Sequence, residues 1–289
     1  MSDIAICTIF KNESRYLYEW LSYHYYIGIR KFVLYNNGST DDSIDVIRNW
    51  PHSDAIKIID WPQVRGQIPA YLHMIQKNRD VAEWCAFIDC DEFITPITDL
   101  SIPEIFDRIP EPVAGIYAFW MMFGSSGHIA RPEGLVTETY TRRAPDNFGS
   151  HNYGKSIVRL RRALQPTMHV FQCEGPMIND AGLEIDPQSL FYQKNRSYEL
   201  LSINHYFTKS LEEWRERRAK GQVSKAPGDP GYIRPDKDFY VHDINEILDE
   251  RAANIMGKVR EEFYPDQGQT APKAATVSAL DVDHEWRND

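Results

Sequence analysis

The chain has 289 residues and a hydrophobic content of 42%, enough to fill the core of one large α/β domain rather than leave a disordered polymer. Its 42 acidic against 32 basic side chains give a formal net charge of -10, which argues against a broad phosphate-binding surface and against nucleic acid as a partner. The opening MSDIAICTIFKNE has no basic stretch or long apolar run, so no signal peptide is expected, and no window holds the roughly 20 apolar residues of a bilayer crossing. Any membrane association would be peripheral. The four cysteines, Cys7, Cys85, Cys90 and Cys173, form no CxxC pair, and three lie in strand-like runs. A cytoplasmic location fits them, with peripheral contact at the inner face of the membrane as its variant.

In chain order, residues 4–10 read as a strand, and Asn12 stands as an N-cap before an aromatic helix over 15–27 that Gly28 ends. Residues 31–35 are a second strand. Ser39, with Asp42 three residues on, resembles a capping box opening a helix that Pro51 stops. A third strand over 56–59, a helix over 68–80 and a fourth strand over 84–88 follow, the last running into Asp89. This alternation predicts a mostly parallel sheet flanked by helices, with right-handed crossovers. Beyond Asp99 come a short helix capped by Ser101 and Glu104, a strand over 115–123, a small-residue loop over 124–127, and strands over 155–160 and 200–207. Ser210 and Glu213 cap a charged helix that Gly221 closes, and the Gly- and Pro-rich residues 222–237 read as a loop or lid. The expected organisation is a single domain over 1–264, with 1–99 binding nucleotide and metal and 100–264 building the acceptor side, then a polar tail over 265–289.

In an α/β sheet the ligand sits beyond the carboxyl ends of the strands, where this sequence places NNGSTDD and DCDE. In an extended chain Asp89 and Asp91 share one face, so both can approach one cation, whose charge would relieve their repulsion. Hard oxygen ligands suit Mn²⁺ or Mg²⁺. A solvated acidic turn is the alternative, whereas an EF-hand lacks its third acidic position and glycine here. NNGSTDD is equally open to two readings, ligand contact or turn plus N-cap. His205 and Lys209, at a strand end entering a capped helix, could ligate a metal and balance a diphosphate, or be a satisfied core histidine and a surface lysine. His169 and Lys155 are weaker candidates of the same kind. Trp120 and Phe123, beside the small-residue loop, are placed to stack on a sugar or to pack the core.

Taken together, ICTIFKNE, LYNNGSTDDS, FIDCDEF and NHYFTKSLEEW resemble glycosyltransferase family 92 and its relatives with the GT-A fold, over most of residues 4–221. The resemblance implies a GT-A-like, Rossmann-like domain and a metal-dependent transferase passing sugar from a nucleotide-diphosphate sugar, a UDP-sugar first, to an acceptor hydroxyl on a carbohydrate or glycolipid. It implies donor contacts at Asn36, Asn37 and Asp41 or Asp42, and metal contacts at Asp89 or Asp91. His205 matches the metal-ligating histidine and Lys209 the diphosphate-gripping lysine of several such enzymes. Asn12 and Gln67 are added to the donor-binding set. If the reaction inverts, a carboxylate takes the acceptor proton, with Glu138 the first choice and Asp146 and Asp180 behind it. The competing readings are a sugar-1-phosphate nucleotidyltransferase, which would usually carry a Gly-rich phosphate loop that ICTIFKNE lacks, and a non-catalytic sugar-nucleotide-binding protein.

Overall fold

The computed structural model describes residues 1–186 and 188–264, so the tail expected over 265–289 lies outside the described residues. The expected alternation is present as β1 (Ile4–Phe10), α1 (Ser14–Tyr26), β2 (Lys31–Asn36), α2 (Ser43–Arg48), β3 (Ile56–Asp60), α3 (Gln67–Lys77) and β4 (Trp84–Phe87). β1 lies between β2 and β4, parallel to both, and β3 adds in parallel beyond β2. All seven residues of β1 are buried, which is why the run IAICTIF shows no polar alternation.

The second part of the chain turns the sheet mixed. It contributes β5 (Glu92–Pro96), α4 (Ile102–Asp107), β6 (Gly115–Met122), α5 (Val136–Thr139), the short β7 (Arg142–Arg143), β8 (Gly154–Arg159), β9 (Ala163–Gln165), β10 (Gln172–Cys173), β11 (Met177–Ile178) and β12 (Leu201–His205). After these come α6 (Leu211–Lys220), α7 (Lys237–His242), β13 (Ile247–Leu248) and α8 (Arg251–Phe263). Among the described residues the main sheet has nine strands in the order β3-β2-β1-β4-β8-β6-β12-β5, with β11 also on β6. β8 runs antiparallel to β4 and β6, and β12 runs parallel to β6 but antiparallel to β5. The α/β class with flanking helices is as expected, but the sheet is parallel only in its first half and mixed in its second; β5, which begins at Glu92 inside FIDCDEF, and the short β7, β9, β10, β11 and β13 are the strands not expected.

Helices cover both faces. Leu17, Trp20 and Leu21 of α1 and Met256, Val259 and Phe263 of α8 pack on one side, and Ala70, Tyr71 and Met74 of α3 on the other. Each fully buried Leu, Met or Val among these contributes roughly 1.5–3 kcal/mol. His24 pins α1 to the sheet: its Nδ1 donates to the Trp20 carbonyl at 2.8 Å and its Nε2 accepts from the Ile94 amide at 3.1 Å. Burial lowers its pKa to about 3, so the ring is neutral.

The capping boxes at Ser101/Glu104 and Ser210/Glu213 form as expected. The two other cap expectations fail, for one reason. Asn12 does not cap α1; it adopts a φ of 55°, a region Asn tolerates, and its Oδ1 accepts from the Thr40 amide at 2.7 Å. Ser39 does not cap α2, because its Oγ accepts from the Asn12 amide at 3.0 Å. The helix start is served across loops instead: Asp41 Oδ2 accepts from the Ser14 amide at 3.0 Å. Among the described residues no helix is long and apolar enough to cross a membrane.

Candidate active site

A cleft of about 420 Å³ opens where β1 and the β4–β5 turn end, within the size range of small-molecule sites. The segment after β1, the turn Asp89-Cys90-Asp91, Gln67 at the start of α3, Lys209, α6 and residues 221–234 line it. Eight lysine and arginine side chains face six carboxylates in this lining, a basic balance in a chain whose net charge is -10. That balance suits a polyanionic ligand.

The Asp-x-Asp segment does not lie extended. The Glu92 amide donates to the Asp89 carbonyl at 3.1 Å, closing a turn that reverses the chain from β4 into β5. Each carboxylate thereby acquires its own cation. Asp89 Oδ2 accepts from Lys155 Nζ at 2.8 Å, and its Oδ1 accepts from Gln67 Nε2 at 3.1 Å. Asp91 Oδ2 lies 2.7 Å from Arg217 and 3.3 Å from His205 Nε2. Burial alone would raise the Asp91 carboxyl, yet the Arg217 charge, the adjoining His205 ring and the Lys209 charge hold it well below the usual carboxylate range. For Lys155, burial opposes the charge, but Asp89 and Glu92 keep the ammonium form well past its ordinary pKa. Glu92, completely buried 3.6 Å from Lys155, is pushed well above the carboxylate range by burial.

His205 closes β12, in register with Glu92 of β5 and Met122 of β6. Its two ring nitrogens and Asp91 Oδ2 are buried and form no hydrogen bond, although Asp91 Oδ2 keeps its ionic contact with Arg217. Burial keeps the imidazole neutral by lowering its pKa. Four residues on, Lys209 takes a left-handed φ of 49°, a strained conformation that turns the chain into the capped start of α6. Its ammonium sits 4.4 Å over the Tyr16 ring, and burial lowers its pKa from the ordinary value.

Of the sequence-derived candidates, Asn12, Asp41, Gln67, Asp89, Asp91 and Lys209 line the cleft, with His205 directly behind Asp91. Asn36, Asn37 and Asp42 are not brought to it. Asn36 ties down its own loop by accepting from the Ser39 amide at 2.9 Å and donating to Asp60 at 3.1 Å, while Asn37 donates to the Trp61 and Gln63 carbonyls at 2.7 and 2.9 Å. Asp42 points to solvent without capping α2. Glu138 is also displaced from the expected role: both its oxygens accept from Arg260, at 2.7 Å each, and it bridges α5 to α8 away from the cleft. Asp146 pairs with Arg143 at 2.8 Å, and Asp180 Oδ2 accepts the Glu199 and Leu200 amides at 2.7 and 2.8 Å. Phe123 is wholly buried, a core residue.

The set of Asp89, Asp91 and His205 is not assembled as one metal centre; among the described residues no three acidic, histidine or cysteine groups cluster for an ion. Repulsion between the carboxylates is relieved by Lys155 and Arg217. The pair Asp91–His205 nevertheless fits a divalent cation, one hard oxygen and one imidazole nitrogen facing each other without a hydrogen bond, although Asp91 is already charge-paired with Arg217, which the cation would have to displace or share. Sequence reasoning missed Arg217 and undervalued Lys155. Arg217 looked like one more charge on a solvated helix, and only the return of α6 to the β4–β5 turn singles it out.

A sheet with a parallel first half carrying such a basic cleft at its carboxyl edge is an α/β architecture suited to a polyanionic ligand. Residues 3–226 match the model of glycosyltransferase family 92, and the chain belongs to that family. A family 92 protein of Ricinus communis is 30% identical over 250 residues, covering 78% of this chain and 42% of its own, and one of Oryza sativa subsp. japonica is 26% identical over 241 residues, covering 78% and 39%. This chain thus spans about two fifths of the length of these curated relatives. Among solved structures it partly overlays S. aureus TarS 1-349 in complex with UDP (TM-score 0.36, 14% identity, 55% of this chain and 47% of that one). It also overlays glucosyl-3-phosphoglycerate synthase from Mycobacterium tuberculosis in complex with Mn²⁺, UDP-glucose and phosphoglyceric acid (TM-score 0.28, 15% identity, 42% and 44%).

Proposed function

We propose that this protein transfers a sugar from a nucleoside-diphosphate sugar, with uridine as the base, to a hydroxyl of a carbohydrate or glycolipid acceptor. The observation that carries this reading is the buried group of Asp91, His205 at 3.3 Å and Arg217 at 2.7 Å, one oxygen and one imidazole nitrogen facing each other without a hydrogen bond, beside a cleft where Lys209 and Arg217 supply positive charge. In the reaction the bond between the anomeric carbon and the diphosphate oxygen breaks, the acceptor oxygen bonds to that carbon, and the acceptor hydroxyl's proton passes to the departing diphosphate or to water. Asp91 and His205 would hold Mn²⁺ or Mg²⁺, which when bound neutralises charge on the diphosphate. Lys209 and Arg217 stabilise the same leaving group, a contribution of about 3 kcal/mol each if they act like a preorganised oxyanion donor. Asp89 orients Gln67 in the cleft and is itself held from behind by the buried Lys155.

The test is nucleoside diphosphate release from a panel of sugar nucleotides mixed with oligosaccharide acceptors, with Mn²⁺, Mg²⁺ or EDTA. Release from UDP-sugars that depends on metal and acceptor, and falls about a hundredfold in Lys209→Met, is the expected result. Pyrophosphate production from sugar 1-phosphate and a nucleoside triphosphate, or tight binding without turnover, would sink the reading.

A further inference from the structure

Beside the cleft, on the far side of His205, a row of rings is left over by the donor site. Trp120 of β6 lies between His205, 4.3 Å away centroid to centroid, and His169 at 5.2 Å, with Tyr153 at 6.0 Å. Tyr192 continues the row 5.9 Å from Tyr153, and Phe191 5.5 Å from His169. Strand register explains the location. Lys155 pairs with Ala118, Trp120 with Ile203 and Met122 with His205, so parity puts Lys155, Trp120 and His205 on one face of the sheet. These two neighbours of Trp120 are the residues that contact Asp89 and Asp91.

Packing does not account for the row. Phe191 and Tyr192 remain 44% and 43% exposed although their segment is held: the Phe191 carbonyl accepts from Tyr117 at 2.9 Å, and Asn152 Nδ2 donates to the Tyr192 hydroxyl at 2.6 Å. Displaying fixed apolar rings to water is unfavourable unless something covers them. Polar edges accompany them. Trp120 Nε1 is a buried donor without a partner. His169 Nδ1 donates to the Gly154 carbonyl at 2.9 Å; a carbonyl only accepts, so Nε2 keeps its lone pair. Burial lowers the His169 pKa to about 4, leaving the row uncharged near neutral pH, in contrast to the basic cleft.

We propose that Trp120, Tyr153, His169, Phe191 and Tyr192 form the acceptor subsite and that it takes a neutral, unphosphorylated sugar ring. Aromatic faces match the C–H face of such a ring, and the lone pair on His169 Nε2 matches one of its hydroxyls. The proposal rests on the donor reading for the direction from which the acceptor approaches, and its test is separable from it.

Wild type and the double variant Phe191→Ala/Tyr192→Ala are titrated with methyl glycosides of neutral hexoses and N-acetylhexosamines, followed by saturation-transfer NMR, and with UDP plus Mn²⁺ by calorimetry. At least one glycoside should bind wild type and bind the variant roughly tenfold more weakly, as expected for two lost aromatic contacts, with UDP affinity unchanged within about twofold. Should the double variant unfold, Tyr192→Ala alone makes the same comparison. If no glycoside binds wild type, if the variants bind it as well as wild type does, or if a glycoside 6-phosphate is preferred over its neutral form, the subsite is wrong. Loss of UDP binding by wild type with glycoside binding intact would count against the donor reading and for this one.

Discussion

Residues 1–99 and residues 100–264 meet along the cleft and contribute to it differently. The first part supplies the Asp89–Asp91 turn on a parallel half-sheet whose loops clamp one another through Asn12, Ser39 and Asp41. The second supplies the counter-charges Lys155, Lys209 and Arg217 from a strand, a strained turn and a helix. So the division of donor half from acceptor half is not a division of the molecule in space. Charges from distant parts of the chain are paired before any ligand arrives, and removing one member leaves the other uncompensated in a partly dry site.

The sharpest way to break this picture is Asp91→Asn. It removes the carboxylate charge that faces both Arg217 and His205 while preserving shape, and we expect turnover to fall about a thousandfold, roughly 4 kcal/mol, with the fold intact by circular dichroism. Wild-type diphosphate release from this variant would show that the two parts of the chain are not coupled at Asp91.

A second prediction concerns the joint between the parts. Glu19 of α1 accepts the Val136 and Thr137 amides at 2.7 and 2.9 Å, and burial raises its pKa to about 7. The folded state therefore binds a proton that the unfolded chain, titrating near 4.5, releases. Stability from this group is present below pH 4.5 and is lost as pH rises towards 7, by up to about 3 kcal/mol. His24 acts in the opposite sense, its folded pKa of about 3 against 6.5 making acid destabilising below pH 6.5. Urea denaturation at pH 5 to 8 should show a decline towards pH 8 that flattens in Glu19→Gln. A decline of equal slope in that variant would place its origin elsewhere.

The smallest effect is expected at Glu138. Its pair with Arg260 is about 30% exposed on each side, 28% and 31%, so Glu138→Ala should cost about 0.5–1 kcal/mol of stability. Turnover should stay within about twofold, measured by the same diphosphate assay. A loss of a hundredfold or more would restore Glu138 as a base and require α5 to swing towards the cleft.

Local chemistry made much of the molecule readable before its shape was known. The apolar run of β1, the strand–helix alternation through β4, and the boxes at Ser101/Glu104 and Ser210/Glu213 depend on residues within a few positions of one another, so period and cap spacing suffice. The polar loops at the carboxyl ends followed from that alternation. Where reading went astray, a distant partner had taken the residue: Ser39 and Asn12 satisfied each other rather than cap helices, and Glu138 found Arg260.

By itself, then, the sequence determined the fold class, the parallel half-sheet and the short list containing Asp89, Asp91, His205 and Lys209. Only the tertiary structure decided that Asp89 and Asp91 are split by a turn, that Lys155 and Arg217 separately neutralise them, that Asp91 pairs with His205, and that Trp120 stands between the histidine and an exposed aromatic row. The reason is physical. Propensity and capping act through the few residues in one turn or strand, whereas burial and Coulomb energy depend on which side chains approach to a few ångströms, and here those approaches join positions more than 60 residues apart.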